Sequence, residues 1–332
     1  MKILVTGAAG YIGSHFVKKA LDRYPTVKVF AVDDLREGHN QAVPDSERVS
    51  FHNISIDNTE ALDPVLAAEK PDAVIHFAAN AYVGESQENP FKYFENNVAG
   101  SLKLFKLLAG HGVNKLIFSS SCTTYGNPEY IPIDEKHPQA PINVYGITKL
   151  MIEQALMGLH LASGWSYISL RYFNAAGADD QAAIGESHDP ETHLIPLVLQ
   201  TALGRREEIG IYGDDYDTED GTCIRDYVHV YDLAEAHCLA LDKLLALKEG
   251  ESIFDAINLG TSKGASVEEV IKTCEKVSGR SIKRKVTPRR PGDPAKLVAD
   301  YSRAKEILGW EPKYDLERII ETAWAWEKSR QY

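Results

Sequence analysis

What the 332-residue chain lacks narrows the field quickly. Its four cysteines, Cys122, Cys223, Cys238 and Cys274, stand far apart, with no C-x-x-C pair and no metal-ligand spacing. They read as reduced thiols of a cytoplasmic protein rather than as a disulfide scaffold. Positive charge is scarce: 36 Lys and Arg face 48 Asp and Glu, for a net charge of -12. That balance argues against nucleic acid or an anionic membrane as the main partner, and leaves an anionic ligand open where arginines gather locally. No apolar run approaches a membrane span, and Met1 leads straight into a strand pattern, so no signal peptide is expected. The eleven histidines form no H-E-x-x-H and no paired cluster, so no metal is expected. Repeats and low-complexity tracts are absent too. A composition of 44% hydrophobic and 25% charged residues is that of an ordinary globular chain with room for one large or two modest domains.

The most informative stretch is the beginning. Lys2-Ile3-Leu4-Val5 is a short apolar run, Thr6-Gly7-Ala8-Ala9-Gly10-Tyr11-Ile12-Gly13 follows, and Ser14 to Tyr24 has a helical pattern. A side chain at Gly7 or Gly10 would hold the backbone away from a phosphate, and Gly13 lets the helix lie close on the sheet. The N–H groups and dipole of the helix start then suit a pyrophosphate. A second strand, Lys28 to Val32, ends at Asp33-Asp34. Asp33 falls about 20 residues past the last glycine, where a carboxylate accepts the ribose hydroxyls and repels the extra phosphate of NADP. NAD is therefore the expected cofactor, with Arg36 as the one opposing charge nearby.

Further strands are expected at 48–51, 72–77, 115–118 and 167–171, alternating with helices at 60–70, 91–110 and 144–162. The pattern means βαβ units and a doubly wound parallel sheet of Rossmann type, with ligands beyond the carboxyl ends of its strands. The Gly7 loop, Asp33, Ala78-Ala79, Ser119-Ser121 and Tyr172-Phe173-Asn174 all fall at such ends. From Gly177 the pattern loosens, with helices around 194–204 and 266–279. The expected division is an NAD-binding domain over 1–175, to which 226–259 returns, and a smaller interleaved α/β substrate domain over 176–225 and 260–332.

Tyr145 and Lys149 stand four apart and so share a helix face. A tyrosine acting as a base near neutrality must lose about 3 pKa units, roughly 4 kcal/mol. A neighbouring ammonium and a cationic nicotinamide both act in that direction. Ser119-Ser120-Ser121 ends a central strand upstream, where a hydroxyl can relay a substrate proton. Cys122 beside it reads as a buried small residue, not a nucleophile. Asp215 to Gly221 reads as a solvated loop although it faintly matches a calcium loop, and Lys283-Arg284-Lys285 is too short a basic stretch for nucleic acid. Trp310, Trp324 and Trp326 read as packing residues.

These residues resemble the extended short-chain dehydrogenase/reductases. Closer still, His76-Phe77-Ala78-Ala79, Val83-Gly84-Glu85-Ser86, Asn96-Asn97-Val98, Tyr125-Gly126, Arg171-Tyr172-Phe173-Asn174, Arg225-Asp226-Tyr227-Val228-His229 and Arg289-Arg290-Pro291-Gly292-Asp293 are similar to the UDP-glucose 4-epimerase family over the whole chain. The resemblance implies that Tyr145 takes the proton of a sugar 4-hydroxyl while hydride passes to NAD, and that the 4-keto sugar turns over and takes the hydride back on its other face. It implies Lys149 on the nicotinamide ribose and Ser121 on the reacting oxygen. For the cofactor it implies Gly7, Gly10, Tyr11, Ile12, Gly13, Asp33, Asp34, Ser55, Ile56, Phe77, Ala78, Ala79, Asn97, Ser119, Tyr145, Lys149 and Tyr172. For a UDP-sugar it implies Ser121, Tyr145, Asn174, His193, Leu194, Tyr212, Arg225, Arg290 and Asp293, in a cytoplasmic homodimer paired through the helices at 91–110 and 144–162. Ala81 departs from the family lysine that contacts NAD, and Ser55, with Asp57 after it, from the acid near the adenine. Alternatives are a 4-epimerase of N-acetylhexosamine or pentose nucleotides, a 4,6-dehydratase, or a non-catalytic NAD-binding sensor. A dehydratase places Asp-Glu where this chain has Cys122-Thr123-Thr124, a sensor typically loses the Tyr-Lys pair, and a large residue at Leu297 disfavours an N-acetyl group.

Overall fold

The computed structural model describes residues 1–290 and 293–332; Pro291 and Gly292 of the 289–293 motif lie outside the described residues. Two βαβ passes open the chain: β1 (Lys2–Thr6), α1 (Tyr11–Arg23), β2 (Lys28–Asp33), β3 (Val49–Asn53), α2 (Thr59–Glu69) and β4 (Ala73–His76). Helices α3 (Val83–Glu88), α4 (Pro90–Tyr93) and α5 (Ser101–Gly110) precede β5 (Lys115–Ser121), α6 (Val144–Ser163) and β6 (Ser166–Tyr172). After β7 (Asn174–Ala176) come α7 (Leu194–Ala202), β8 (Ile209–Tyr212), β9 (Ile224–Arg225), β10 (Tyr227–His229), α8 (Val230–Leu245) and β11 (Phe254–Leu259). The chain ends with β12 (Ala265–Ser266), α9 (Val267–Ser278), β13 (Arg284–Thr287), β14 (Lys296–Leu297), α10 (Ser302–Leu308) and α11 (Leu316–Ser329). None of these helices is long and apolar enough to cross a membrane.

The large sheet runs β11-β6-β5-β4-β1-β2-β3 and is parallel throughout. Its inner strands are buried on both faces, so β1, β2 and β4 read as near-continuous apolar runs, while the edge strand β3 stays partly exposed. The two-residue period divides them: Ile3 and Val5 pack with α1 and α8 on one side, while Leu4, Val74 and Phe118 pack with α2, α5 and α6 on the other. Strand order reverses between β2 and β4 around β1, which opens the crevice above the first glycine turn. A second apolar core joins α7, α9 and α11.

Two differences from the sequence reading have local causes. The helix expected at 91–110 contains a π-helical turn, Phe94–Gly100, between α4 and α5. Asn97 is fully buried there and its amide bonds the Asn80 backbone and Thr148, which widens the turn. The segment around α10 packs its Ala304, Leu308 and Trp310 into the large-sheet core rather than the second one. Trp310 is fixed there by an indole N–H donated to the Asp232 carbonyl at 2.8 Å.

Candidate active site

The cleft begins at the turn after β1. Gly7 has φ +71°, and a Cβ on it would meet the Ala78 amide nitrogen at 2.6 Å. A Cβ on Gly13 would meet the Gly7 carbonyl oxygen at 2.1 Å, so α1 can lie this close only because that carbon is absent. Gly10 caps α1 without a side chain, and no acid occupies the first turn, leaving the helix start open to an anion. Asp33 is nearly buried, and its two oxygens accept the Ala9 and Leu35 N–H groups at 2.9 and 2.8 Å. They keep free lone pairs facing the cleft. Arg36, the opposing charge, pairs with Asp34 at 2.7 Å and donates to Asn96, so it is engaged rather than presented to a 2′-phosphate. This cradle fits a dinucleotide that lacks that phosphate.

The chemistry sits on α6. Asn143 caps the helix by accepting the Gly146 N–H at 2.8 Å, and a Cβ on Gly146 would strike the Thr123 carbonyl at 2.6 Å. That close approach brings Tyr145 beside Ser121 at the end of β5. The Ser121 hydroxyl accepts from Thr123 N–H (3.2 Å) and from Thr123 Oγ1 (2.9 Å), which leaves its own proton for the Tyr145 phenol or a substrate oxygen. Lys149 is buried and donates to the Ser119 carbonyl at 2.6 Å, with its ammonium 5.6 Å from the Tyr145 ring centre.

In the chain alone, burial works against an acidic phenol. Burial pushes the Tyr145 phenol above its ordinary value, against the hydrogen bond from Ser121. Burial also pulls Lys149 down to about 7, against the opposing pull of the Glu153 carboxylate. Loss of water outweighs the Tyr-Lys attraction because both groups sit in the same dry pocket. An acidic phenol therefore requires positive charge brought in by the cofactor. Cys122 is pushed up to about 12 by burial, which suits packing and not nucleophilic attack.

The cleft encloses about 1500 Å³ and its walls carry every expected site residue except Ser55 and Asn97. Ser55 turns to the Asp57 carboxylate, and Asn97 lies behind the 78–82 loop as its buried support. Opposite the glycine turn, Arg225 is held by the Asp293 carboxylate and donates to the Ile224 carbonyl at 2.8 Å. Asp226 fixes this strand by gathering the N–H groups of Thr261, Ser262 and Ala299. Arg290 stacks on the Tyr212 ring at 3.9 Å. Asn174 donates its amide to the Asp226 carbonyl. His193 lines the cleft, but its Nδ1 faces Glu186 and Glu191 rather than open space.

The sequence reading missed Arg206 and Tyr227, both on the cleft wall. Arg206 is exposed and makes no ion pair among the described residues, so it is a further cation for a diphosphate. Arg284 is paired with Glu268 and Glu275 and Lys285 with Glu208, and Arg289 is taken up by Asp215 and the Tyr216 ring. The expectation of no metal rested on spacing templates. The fold nonetheless gathers Glu186, His188, Glu191 and His193, whose ligand-type atoms lie within 4.8 Å of one another.

Comparison with known proteins agrees with this geometry. The profile of the NAD dependent epimerase/dehydratase family matches residues 3–260. The UDP-glucose 4-epimerase of Halalkalibacterium halodurans is 51% identical over 100% of this chain and 97% of its own length. The crystal structure of UDP-glucose 4-epimerase from Brucella ovis in complex with NAD superposes with a TM-score of 0.92 at 46% identity, covering 98% of this chain and 97% of that one. The Bifidobacterium longum enzyme in complex with NAD+ and UDP gives 0.92 at 36% identity over 99% of both chains. With likeness running the full length of the chain, through the glycine turn, the Tyr-Lys helix and the arginine wall alike, this chain belongs to the NAD dependent epimerase/dehydratase family.

Proposed function

We propose that the chain is a UDP-glucose 4-epimerase that interconverts UDP-glucose and UDP-galactose. The observation that carries this reading is one cleft in which Tyr145, Lys149 and Ser121 lie between the Gly7–Asp33 cradle and the Arg225–Arg290–Asp293 wall. The cradle would hold NAD, with Lys149 and Tyr172 at its nicotinamide end. Bound NAD supplies a hydride acceptor for sugar carbon 4 and, after the sugar turns, a hydride donor to its opposite face. The Tyr145 oxygen removes and returns the proton of the 4-hydroxyl, and Ser121 hydrogen-bonds the same oxygen through the one proton it has left. Arg225, Arg206 and Arg290 hold the diphosphate, so the sugar alone is free to rotate. Incubating the purified protein with UDP-galactose and no added NAD tests this directly. UDP-glucose is the expected product, and its absence from protein that carries NAD sinks the reading.

Lys149→Met removes the cation beside the phenol. A phenol without that cation ionises at higher pH, so the acid limb of the kcat/KM profile is expected to move upward. An unmoved limb would refute the role given to Lys149. Leu297 lines the cleft. Leu297→Ala is expected to raise relative activity on UDP-N-acetylglucosamine by roughly tenfold, the worth of a side-chain-sized gap. Competition assays with both sugars measure it.

The dimeric, cytoplasmic state also belongs to this proposal. Phe91, Leu102, Met151 and Leu161 are exposed apolar residues on the helical stretches expected to pair across a twofold axis. Light scattering on the purified protein reports the mass directly.

A further inference from the structure

The loop between β7 and α7 carries a group of side chains that take no part in the proton and hydride transfers, although His193 among them lines the cleft. Glu186, His188, Glu191 and His193 follow the pattern E-x-H-x-x-E-x-H and close on one point. His193 Nδ1 lies 2.8 Å from Glu186 Oε1 and 2.9 Å from Glu191 Oε1. His188 Nδ1 lies 3.3 Å from Glu186 Oε1 and 3.5 Å from Glu191 Oε2. The two carboxylate side chains are only 7% and 5% exposed. Hydrogen bonds satisfy the His193 half. The His188 half stays open, since His188 Nδ1 and Glu191 Oε2 are buried and bonded to nothing. Two buried polar atoms facing each other without a bond need a partner.

A dication supplies one. Zinc bound to imidazole nitrogen and carboxylate oxygen at about 2.0–2.2 Å in a tetrahedron sets neighbouring ligand atoms roughly 3.3 Å apart. The four distances above, 2.8 to 3.5 Å, lie near that edge, with Glu191 turning a different oxygen to each imidazole, and one ligand atom from each residue falls within 4.8 Å of the others. Two carboxylates with one dication and neutral imidazoles sum to zero charge, as two buried carboxylates require and as two imidazolium ions would also supply. The mixed N/O donor set suits a transition metal, whereas calcium or magnesium would want about six or more oxygens. We infer that Glu186, His188, Glu191 and His193 form a closed structural site for a zinc-class divalent ion. Four protein ligands complete a tetrahedron, so the ion would fasten and not catalyse.

What it would fasten is the corner where three segments meet. Trp326 of α11 donates its indole N–H to the Glu186 carbonyl at 2.8 Å, and Arg330 donates to the Ser187 hydroxyl at 2.6 Å. His39, on the cofactor side, bonds the Ser187 carbonyl, and Tyr82 packs edge-on against His188. The same loop delivers Leu194 to the cleft wall. The competing arrangement is an ion-pair network with both imidazoles protonated, in which His188 stands farther from its carboxylates, at 3.3 and 3.5 Å, than His193 does at 2.8 and 2.9 Å.

The test uses full-length protein dialysed against a chelator and then titrated calorimetrically with Zn²⁺. One saturable zinc per chain is expected, together with a higher thermal midpoint. Co²⁺ in place of zinc should give the strong visible bands of a four-coordinate ion. Glu191→Gln keeps size and shape, and should weaken zinc binding at least tenfold. His188→Gln/His193→Gln should abolish it while near-ultraviolet dichroism reports an intact fold. Anomalous scattering at the zinc edge should place the ion among these four side chains. No saturable zinc in the parent chain, equal uptake by the folded double variant, or zinc located elsewhere would each overturn the inference.

Discussion

Tyr145→Phe is expected to lower kcat by roughly 10²- to 10⁴-fold, the usual worth of a positioned general base, while the protein still purifies with NAD. Removal of one oxygen is a clean experiment here because the phenol oxygen holds nothing structural. Its polar neighbour in the protein is Ser121, whose hydroxyl is already fixed by two bonds from Thr123. The helix that carries Tyr145 is capped through Asn143 and through Ser86, which accepts the Tyr145 backbone N–H at 3.2 Å. Neither contact involves the ring. Stability and KM should therefore stay close to the parent's, and the loss should fall on kcat. Cofactor content is read from NAD released on denaturation, turnover from conversion of UDP-galactose. A variant with more than a tenth of parental turnover would transfer the base role to another group. Loss of NAD along with activity would show instead that the phenol anchors the cofactor.

The parts legible in the sequence are those where one local rule decides the outcome. β1, β2, β4, β5 and β6 are buried on both faces; the first three and the start of β5 read as apolar runs, and each strand's end is also its functional end. The glycine turn is equally local: a positive φ at Gly7 and a contact with no room for Cβ at Gly13 each demand that residue type. Illegible parts depend on partners distant in the chain. β9, β12 and β14 are two residues long and exist only because Ile224–Arg225 meets 265–266 on one side and 296–297 on the other. The π turn at Phe94–Gly100 is set by the reach of Asn97 to Asn80. Ser55 fell at the expected distance from its strand but turned to Asp57. Arg206 follows a helix end with nothing local to mark it as a cleft residue. The Glu186–His193 cluster escaped because its ligands lie on a loop, whereas familiar spacings assume a helix face. The proton affinities of the chain without its cofactor were illegible for another reason. Spacing shows that Tyr145 and Lys149 are neighbours, but only the fold shows that both are stripped of water.

Arg171→Met is expected to destabilise the fold by about 3–5 kcal/mol, the cost of leaving one member of a buried pair alone. Arg171 is 5% exposed and grips Glu153 with two nitrogens, at 3.0 and 2.6 Å, while a third donates to the Tyr125 hydroxyl. Without it the Glu153 carboxylate keeps only the Ser120 hydroxyl and the Gln139 amide, deep beside the sheet. Arg171→Met/Glu153→Leu removes both charges, and should recover at least half of the loss because no unpaired charge remains. Urea unfolding of the three variants gives the cycle; simple additivity of the two single losses would mean that the pair is not coupled. The same carboxylate bears on the reaction. Tyr145, Lys149 and Glu153 follow one another at four-residue steps along α6 and so form one stripe. Glu153 is the charge that opposes the fall of the Lys149 ammonium toward about 7. Its replacement by Leu should let that ammonium lose its proton at lower pH, moving the kcat/KM profile in the direction set by Lys149→Met without touching any group in the cleft. A shift in the double variant that matches its lowered stability, but leaves the pH profile in place, would confine Glu153 to holding β6 and α6 together.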